Sequence, residues 1–267
     1  MKTLNQYIKE SLLDDEDDLV NNDDSVIIEQ FLKDNYKITG TYTINKNKEV
    51  NVDGDVKLLS TNVKYLTNDL FSFGEVTGSF DCGESSILSL KGSPKVVRKV
   101  FKCNYCNNLK NLEGSPKNVG GFVCSHCQSL KTIKGVPEII KGPFLCAKCD
   151  SLESLEGSPK VIEGWVNCSW NKSLKSLDGF VSKVYSHVYC DECDNLIKLE
   201  CSKLSVGGDF TCHNCENLSS LEGFPKYIGG HFSFRGCFRI ENLTPLKSAN
   251  VKSIYMMQVG LLYIRKK

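Results

Sequence analysis

Apolar and polar positions along residues 71–245 follow a pattern that returns about every 22 residues. Each unit opens on an aromatic residue or valine, at Phe80, Phe101, Phe122, Phe144, Val166, Val188, Phe210 and Phe232. Two residues later stand Cys82, Cys103, Cys124, Cys146, Cys168, Cys190 and Cys212, then Phe234. Three further come Ser85, Cys106, Cys127, Cys149, Asn171, Cys193, Cys215 and Cys237. Apolar pairs such as Leu109/Leu112, Leu152/Leu155 and Leu218/Leu221 complete the unit. The period-two opening puts Phe and Cys on one face, which predicts a short strand. Gly-x-Pro then turns the chain: Pro94, Pro116, Pro137 and Pro159 are 22, 21 and 22 residues apart, and Pro225 lies 66 beyond. The frame persists without proline at Val181 and Lys203. A unit this small cannot bury its own face, so neighbours must stack. The expected fold is a mostly β repeat solenoid of about eight coils with parallel strands. At ~4.8 Å per strand it forms a rod about 38 Å long.

The flanks are different material. Residues 40–70 alternate Tyr42, Ile44, Val50, Val52 and Val56 around Asn-Lys-Asn and Asp-Gly. That predicts a β-hairpin with turns at both sites, covering the open end of the stack. Leu4, Tyr7, Ile8, Ser11 and Leu12 share a helical face, and a second helix is expected after an Asp24 or Ser25 cap. At the other end, residues 255–264 are apolar enough for a closing strand. The expected organisation is an acidic helical head over 1–36, a β cap over 37–70, the solenoid over 71–250, and a closing strand over 251–267.

Charge changes the picture only locally. The net charge is +1, but residues 1–35 carry ten acidic and three basic side chains. The compensating lysines are spread out, so no basic stripe points to nucleic acid. No apolar run approaches the roughly 20 residues of a membrane span, and no secretory signal is visible. A reducing cytoplasm is expected, which leaves the 14 cysteines as thiols or metal ligands.

Those cysteines admit two readings. Cys103/Cys106, Cys124/Cys127, Cys146/Cys149, Cys190/Cys193 and Cys212/Cys215 have the spacing of zinc-binding pairs, and such an array would bind nucleic acid. The columns favour a structural ladder. Asn171 replaces a second-column cysteine and Phe234 a first-column one, and a phenyl ring cannot ligate zinc. Buried cysteine packs as a small apolar side chain. No cofactor is expected.

The run Phe101-x-Cys103-x-x-Cys106-x-x-Leu109 resembles the leucine-rich-repeat core, with a Cys-to-Leu gap of three in place of two. It also resembles shorter repeats of bacteriophage and bacterial proteins that contain SLEGSPK and GGF-x-C. This resemblance implies a solenoid that binds other macromolecules, without catalysis. Met1-Lys2-Thr3, Tyr7-Ile8 and Glu10 resemble the capsid-targeting leader of T4-type phage internal head proteins. That resemblance implies cleavage after Ile8-Lys9-Glu10, before Ser11. An amphipathic docking helix explains the same residues.

No nucleophile elbow, phosphate loop or carboxylate pair suggests an enzyme. Outward rows remain. Lys102, Tyr105, His126, Lys148, Trp170 and Tyr189 form the expected partner-binding face, with aromatic residues as anchors. The expectation is a monomeric protein-interaction scaffold, phage-encoded, in the host cytoplasm or virion, with another protein as partner and no membrane.

Overall fold

The computed structural model describes residues 23–67, 70–180, 182–225, 227–248, 250–258 and 261–266. The first expected helix and the leader residues Ile8, Glu10 and Ser11 lie outside the described residues. These residues form a mostly β solenoid of stacked parallel coils, with one α-helix among the described residues, N-terminal to the stack.

The aromatic column forms one continuous parallel ladder. Val56, Phe80, Phe101, Phe122, Phe144, Val166, Val188, Phe210, Phe232 and Ile254 pair in register, one per coil. These ten rungs bound nine turns, one more than the sequence pattern suggests, because the flanking strands join the stack. The phenyl rings continue the regularity inside, with centroids 5.7 Å apart for Phe80–Phe101 and 5.2 Å for Phe101–Phe122. Each buried ring contributes about 2–3 kcal/mol.

A second ladder, which the column reading passed over, has a member three residues after each Gly-x-Pro proline. Val52, Val76, Val97, Val119, Ile140, Ile162, Val184, Val206, Ile228 and Val251 pair in register and are buried. The leucine pairs close the coil on its third side, where bridges such as Thr132↔Ser154 and Ser176↔Lys198 link neighbours. Each coil therefore surrounds the core with three sides.

Two glycine columns make the corners. In Leu112-Glu-Gly-Ser the Ser115 N–H reaches the Leu112 carbonyl at 3.2 Å, with Gly114 at φ 90°. A positive φ at that turn position selects glycine. At the other corner the coils nearly touch, and a Cβ on Gly142 would lie 2.4 Å from the Gly120 carbonyl oxygen.

Helix α1 (Asp23–Asn35) buries Ile28, Phe31 and Leu32 at the N-terminal end of the stack. Phe31 packs edge-on against Phe71 at 5.6 Å, and the Tyr36 hydroxyl donates to the Leu66 carbonyl. The expected hairpin is present, with β1 (Tyr36–Ile44) antiparallel to β2 (Glu49–Leu58). Its single turn is at 45–48. Asp53-Gly54 does not turn; it lies inside β2, where Gly54 faces Gly40 across the pair, both at positive φ. Each glycine there brings the opposite carbonyl too close for a side chain. The C-terminal end also differs from the single closing strand expected. Strand Asn250–Gln258 stacks in parallel on the last coil, then pairs antiparallel with Leu261–Lys266. No helix among the described residues is long and apolar enough to cross a membrane.

Candidate functional site

Thirteen of the 14 cysteines lie in two rows inside the rod, Cys201 stands outside both, and all are buried. First-row residues Cys82, Cys103, Cys124, Cys146, Cys168, Cys190 and Cys212 point into the core from the strands. Second-row thiols reach back one coil. Cys106 Sγ donates to the Cys82 carbonyl at 3.2 Å, Cys127 to Cys103 at 3.1 Å, Cys149 to Cys124 at 3.2 Å, and Cys215 to Cys190 at 3.2 Å. Asn171 fills the same place with its amide: Nδ2 donates to the Cys146 carbonyl at 3.1 Å, and Oδ1 accepts the Cys149 N–H at 2.8 Å. Ser85 Oγ donates to the Cys82 carbonyl of its own coil at 2.6 Å. Cys, Asn and Ser share this column because each supplies a donor.

The two members of each Cys-x-x-Cys thus belong to different rows. Among the described residues, no group of three or more His, Cys, Asp or Glu side chains is placed to hold a metal ion. Burial pushes the thiols of Cys82, Cys103, Cys124, Cys146, Cys190 and Cys212 well above their ordinary range. At Cys168 the hydrogen bond with Cys190, Sγ to Sγ 2.9 Å, is the larger cause and burial the next. Such thiols stay neutral and unreactive at neutral pH.

Of the six outward residues, Tyr105, His126, Lys148 and Trp170 fall in one file, a coil apart. All four have φ between 56° and 61°, in the left-handed region, as do Glu84, Glu192 and Asn214 in the same file. Gly236 ends it at φ 79°. This conformation turns the chain between the two cysteines while the backbone N–H still joins the next coil, as with Tyr105 N to Ser125 O at 3.0 Å. It disfavours large side chains, and their presence there is a local strain.

The side chains of this file engage one another. Tyr105 stacks on His126 at 4.3 Å and 16°, Lys148 Nζ sits 5.2 Å above the Trp170 ring, and Trp170 Nε1 donates to Glu192 Oε2 at 2.8 Å. Burial and then the Lys148 charge hold the His126 pKa below its ordinary value. Tyr105 and Trp170 stay 46% and 37% exposed, so the file offers ring edges to solvent. Lys102 and Tyr189 stand elsewhere, both half-buried between the aromatic and first cysteine columns. Tyr189 meets Trp165 edge-on at 6.0 Å and His187 at 6.1 Å.

A second group escaped the column reading. Trp165, His187, Asp209 and His231 recur every 22 residues just before the strand, and that spacing was the available signal. Asp209 accepts the His231 N–H at 2.8 Å and lies 3.4 Å from His187 Nδ1. Beside them, Asp191, His213 and Ser233 make contacts that cross coils. On the outer surface, lysines face carboxylates one coil away, as in Lys134–Glu156 at 3.1 Å and Lys160–Glu138 at 2.9 Å. These exposed pairs contribute little stability, and they break up positive charge along the rod.

Comparison with family models, with curated proteins and with solved structures found no match.

Proposed function

We propose that the chain is a non-enzymatic protein-interaction scaffold. One observation carries this reading: Tyr105, His126, Lys148 and Trp170 are held in strained backbone on the outside of a rigid stack. Asn214 and Gly236 occupy the same column and suit the conformation better. Large aromatic residues therefore cost stability at this place, and recognition by a partner accounts for their retention. Rigid, two-torsion side chains lose little entropy on binding.

Double substitution Tyr105→Asn and Trp170→Asn tests the reading, since asparagine tolerates left-handed backbone. The expected result is an unchanged fold and at least tenfold weaker binding of a partner crosslinked to the parent protein. Equal capture by parent and double variant would remove this face from the argument.

The finer reading is of a leucine-rich-repeat relative encoded by a phage and carried in its virion, cut between Glu10 and Ser11. It rests on the repeat and leader resemblances. Intact-mass measurement of the particle-associated chain tests it, with a new N-terminus at Ser11 expected. An intact Met1 or absence from particles would refute it. For the cysteines, elemental analysis of reduced protein should find well under one zinc per chain. Several equivalents, with unfolding on chelation, would replace the scaffold with a metal-held array.

A further inference from the structure

Three of the four histidines lie in the C-terminal half of the stack, on the outer side of the Phe-x-Cys strands. His213 has a contact at each ring nitrogen. Its Nδ1 lies 3.5 Å from Asp191 Oδ1, and its Nε2 lies 2.7 Å from Ser233 Oγ. The same Asp191 oxygen accepts the His213 backbone N–H at 2.7 Å, which fixes the carboxylate beside the ring. A carboxylate at Nδ1 favours the tautomer protonated there and frees Nε2 to accept the serine proton. Nucleophile, base and orienting group thus come from three successive coils.

The neighbouring pair is an internal comparison. His231 Nδ1 meets Ser253 Oγ, but Asp209 binds the His231 backbone N–H and approaches the His187 ring. Among the described residues, carboxylate oxygens come within 4.0 Å of a ring nitrogen at His187 and His213. A further observation marks the same place. Thr211 pairs in register with Ser233, and its Oγ1 is a buried hydroxyl with no hydrogen-bond partner. A carbonyl attached to Ser233 offers that hydroxyl an acceptor.

We propose that Ser233 is a covalent modification site that accepts a small acyl group from an activated thioester or phenyl ester. His213 acts as its base, and Asp191 positions His213. The Ser233 oxygen bonds to the carbonyl carbon as the donor's carbon–sulfur or carbon–oxygen bond breaks. The serine proton passes to His213 Nε2 and then to the departing thiolate or phenolate. Ser233 is 7% exposed, which limits the acyl group in size.

The ester persists because the surrounding N–H groups are already used. Cys212 N–H donates to the Ser233 carbonyl at 2.9 Å, Asn214 N–H to Arg235 at 2.8 Å, and Phe234 N–H to Tyr255 at 3.1 Å. A reactive donor needs little oxyanion stabilisation, whereas hydrolysis of an alkyl ester needs more than one hydroxyl supplies. Ser233 therefore takes one acyl group without turnover, in keeping with a scaffold.

Full-length folded protein treated with p-nitrophenyl acetate, followed by peptide mass spectrometry, tests the proposal. The expected result is one stable acetyl group on Ser233, absent in Ser233→Ala and unchanged in Ser253→Ala. His213→Gln and Asp191→Asn should slow acetylation of Ser233 at least tenfold while circular dichroism stays that of the parent. If His213→Gln unfolds, Asp191→Asn decides, because asparagine keeps an oxygen for the His213 N–H. No acetyl group at Ser233, equal acetylation of Ser253, an undiminished rate in a folded variant, or continuous turnover would each overturn it.

Discussion

At the scale of single residues, Asn171 shows what the second row does. It is fully buried, and besides its bonds to Cys146 and Cys149 its Nδ2 donates to the Cys168 carbonyl at 2.7 Å. Replacement by leucine, of similar branched shape, leaves the Cys146 carbonyl and the Cys149 N–H without partners inside the rod, while the Cys168 carbonyl keeps the Cys193 thiol. Each orphaned group costs about 1–3 kcal/mol, so Asn171→Leu should lose roughly 2 kcal/mol or more in urea unfolding. Asn171→Cys should lose much less, because the neighbouring coils show how a thiol reaches the preceding carbonyl. Equal losses for both would mean the column selects volume rather than a donor. The exchange of Cys for Asn was legible in the sequence. The left-handed backbone at Tyr105 was not, because a tyrosine gives no local sign of it and only Asn214 and Gly236 hint at it.

At the scale of elements, the corner between the two ladders limits what the repeat tolerates. Gly142 has ordinary backbone angles, so the constraint there is the approach of the Gly120 carbonyl. Gly142→Ala should cost about 1–3 kcal/mol, the range for overpacking, and lower the thermal midpoint accordingly. An alanine tolerated without loss would show that successive coils can part at this corner. Glycine recurs there at Gly120, Gly142, Gly164, Gly208 and Gly230, which the sequence displays. Its reason lies in the stacking of one coil on the next. The end caps show the same division. Their alternation predicted β1 and β2, but Asp53-Gly54 resembles a turn in isolation and is a strand once Gly40 lies opposite.

At the scale of the molecule, stability is a sum over neighbouring coils. Removal of residues 144–165 joins Pro143 to Val166 and takes out one complete unit, since Phe144 and Val166 are register partners. The shortened chain should fold with a cooperative transition and a slightly smaller denaturant dependence. Removal of half a unit should abolish folding, because every later side chain changes its face. Equal behaviour of the two deletions would argue against in-register stacking.

The buried thiols add a pH dependence. Except at Cys237, where the hydrogen bond with Cys215 lowers it, folding raises the pKa of these thiols, to about 12 for Cys149, where burial is the leading cause. The unfolded thiols ionise near 8.5 while the folded ones keep their protons. Their contribution is therefore fully present below about pH 8.5 and is lost as pH rises through the folded values, by up to about 1.4 kcal/mol per unit per thiol. The denaturation midpoint in reducing buffer should fall steeply above about pH 9. A flat profile to pH 11 would show that the thiols are solvated.

The sequence by itself determined the period, the two interior columns, the turn glycines and the short strands. These follow from steric and hydrophobic preferences within one unit, repeated until they are unmistakable. Only the tertiary structure decided how many strands join the stack, that thiols bond to carbonyls of another coil, and that Asp191, His213 and Ser233 meet. Those residues are some 20 positions apart, and a 22-residue coil brings them within hydrogen-bonding distance only when it stacks on its neighbours in register.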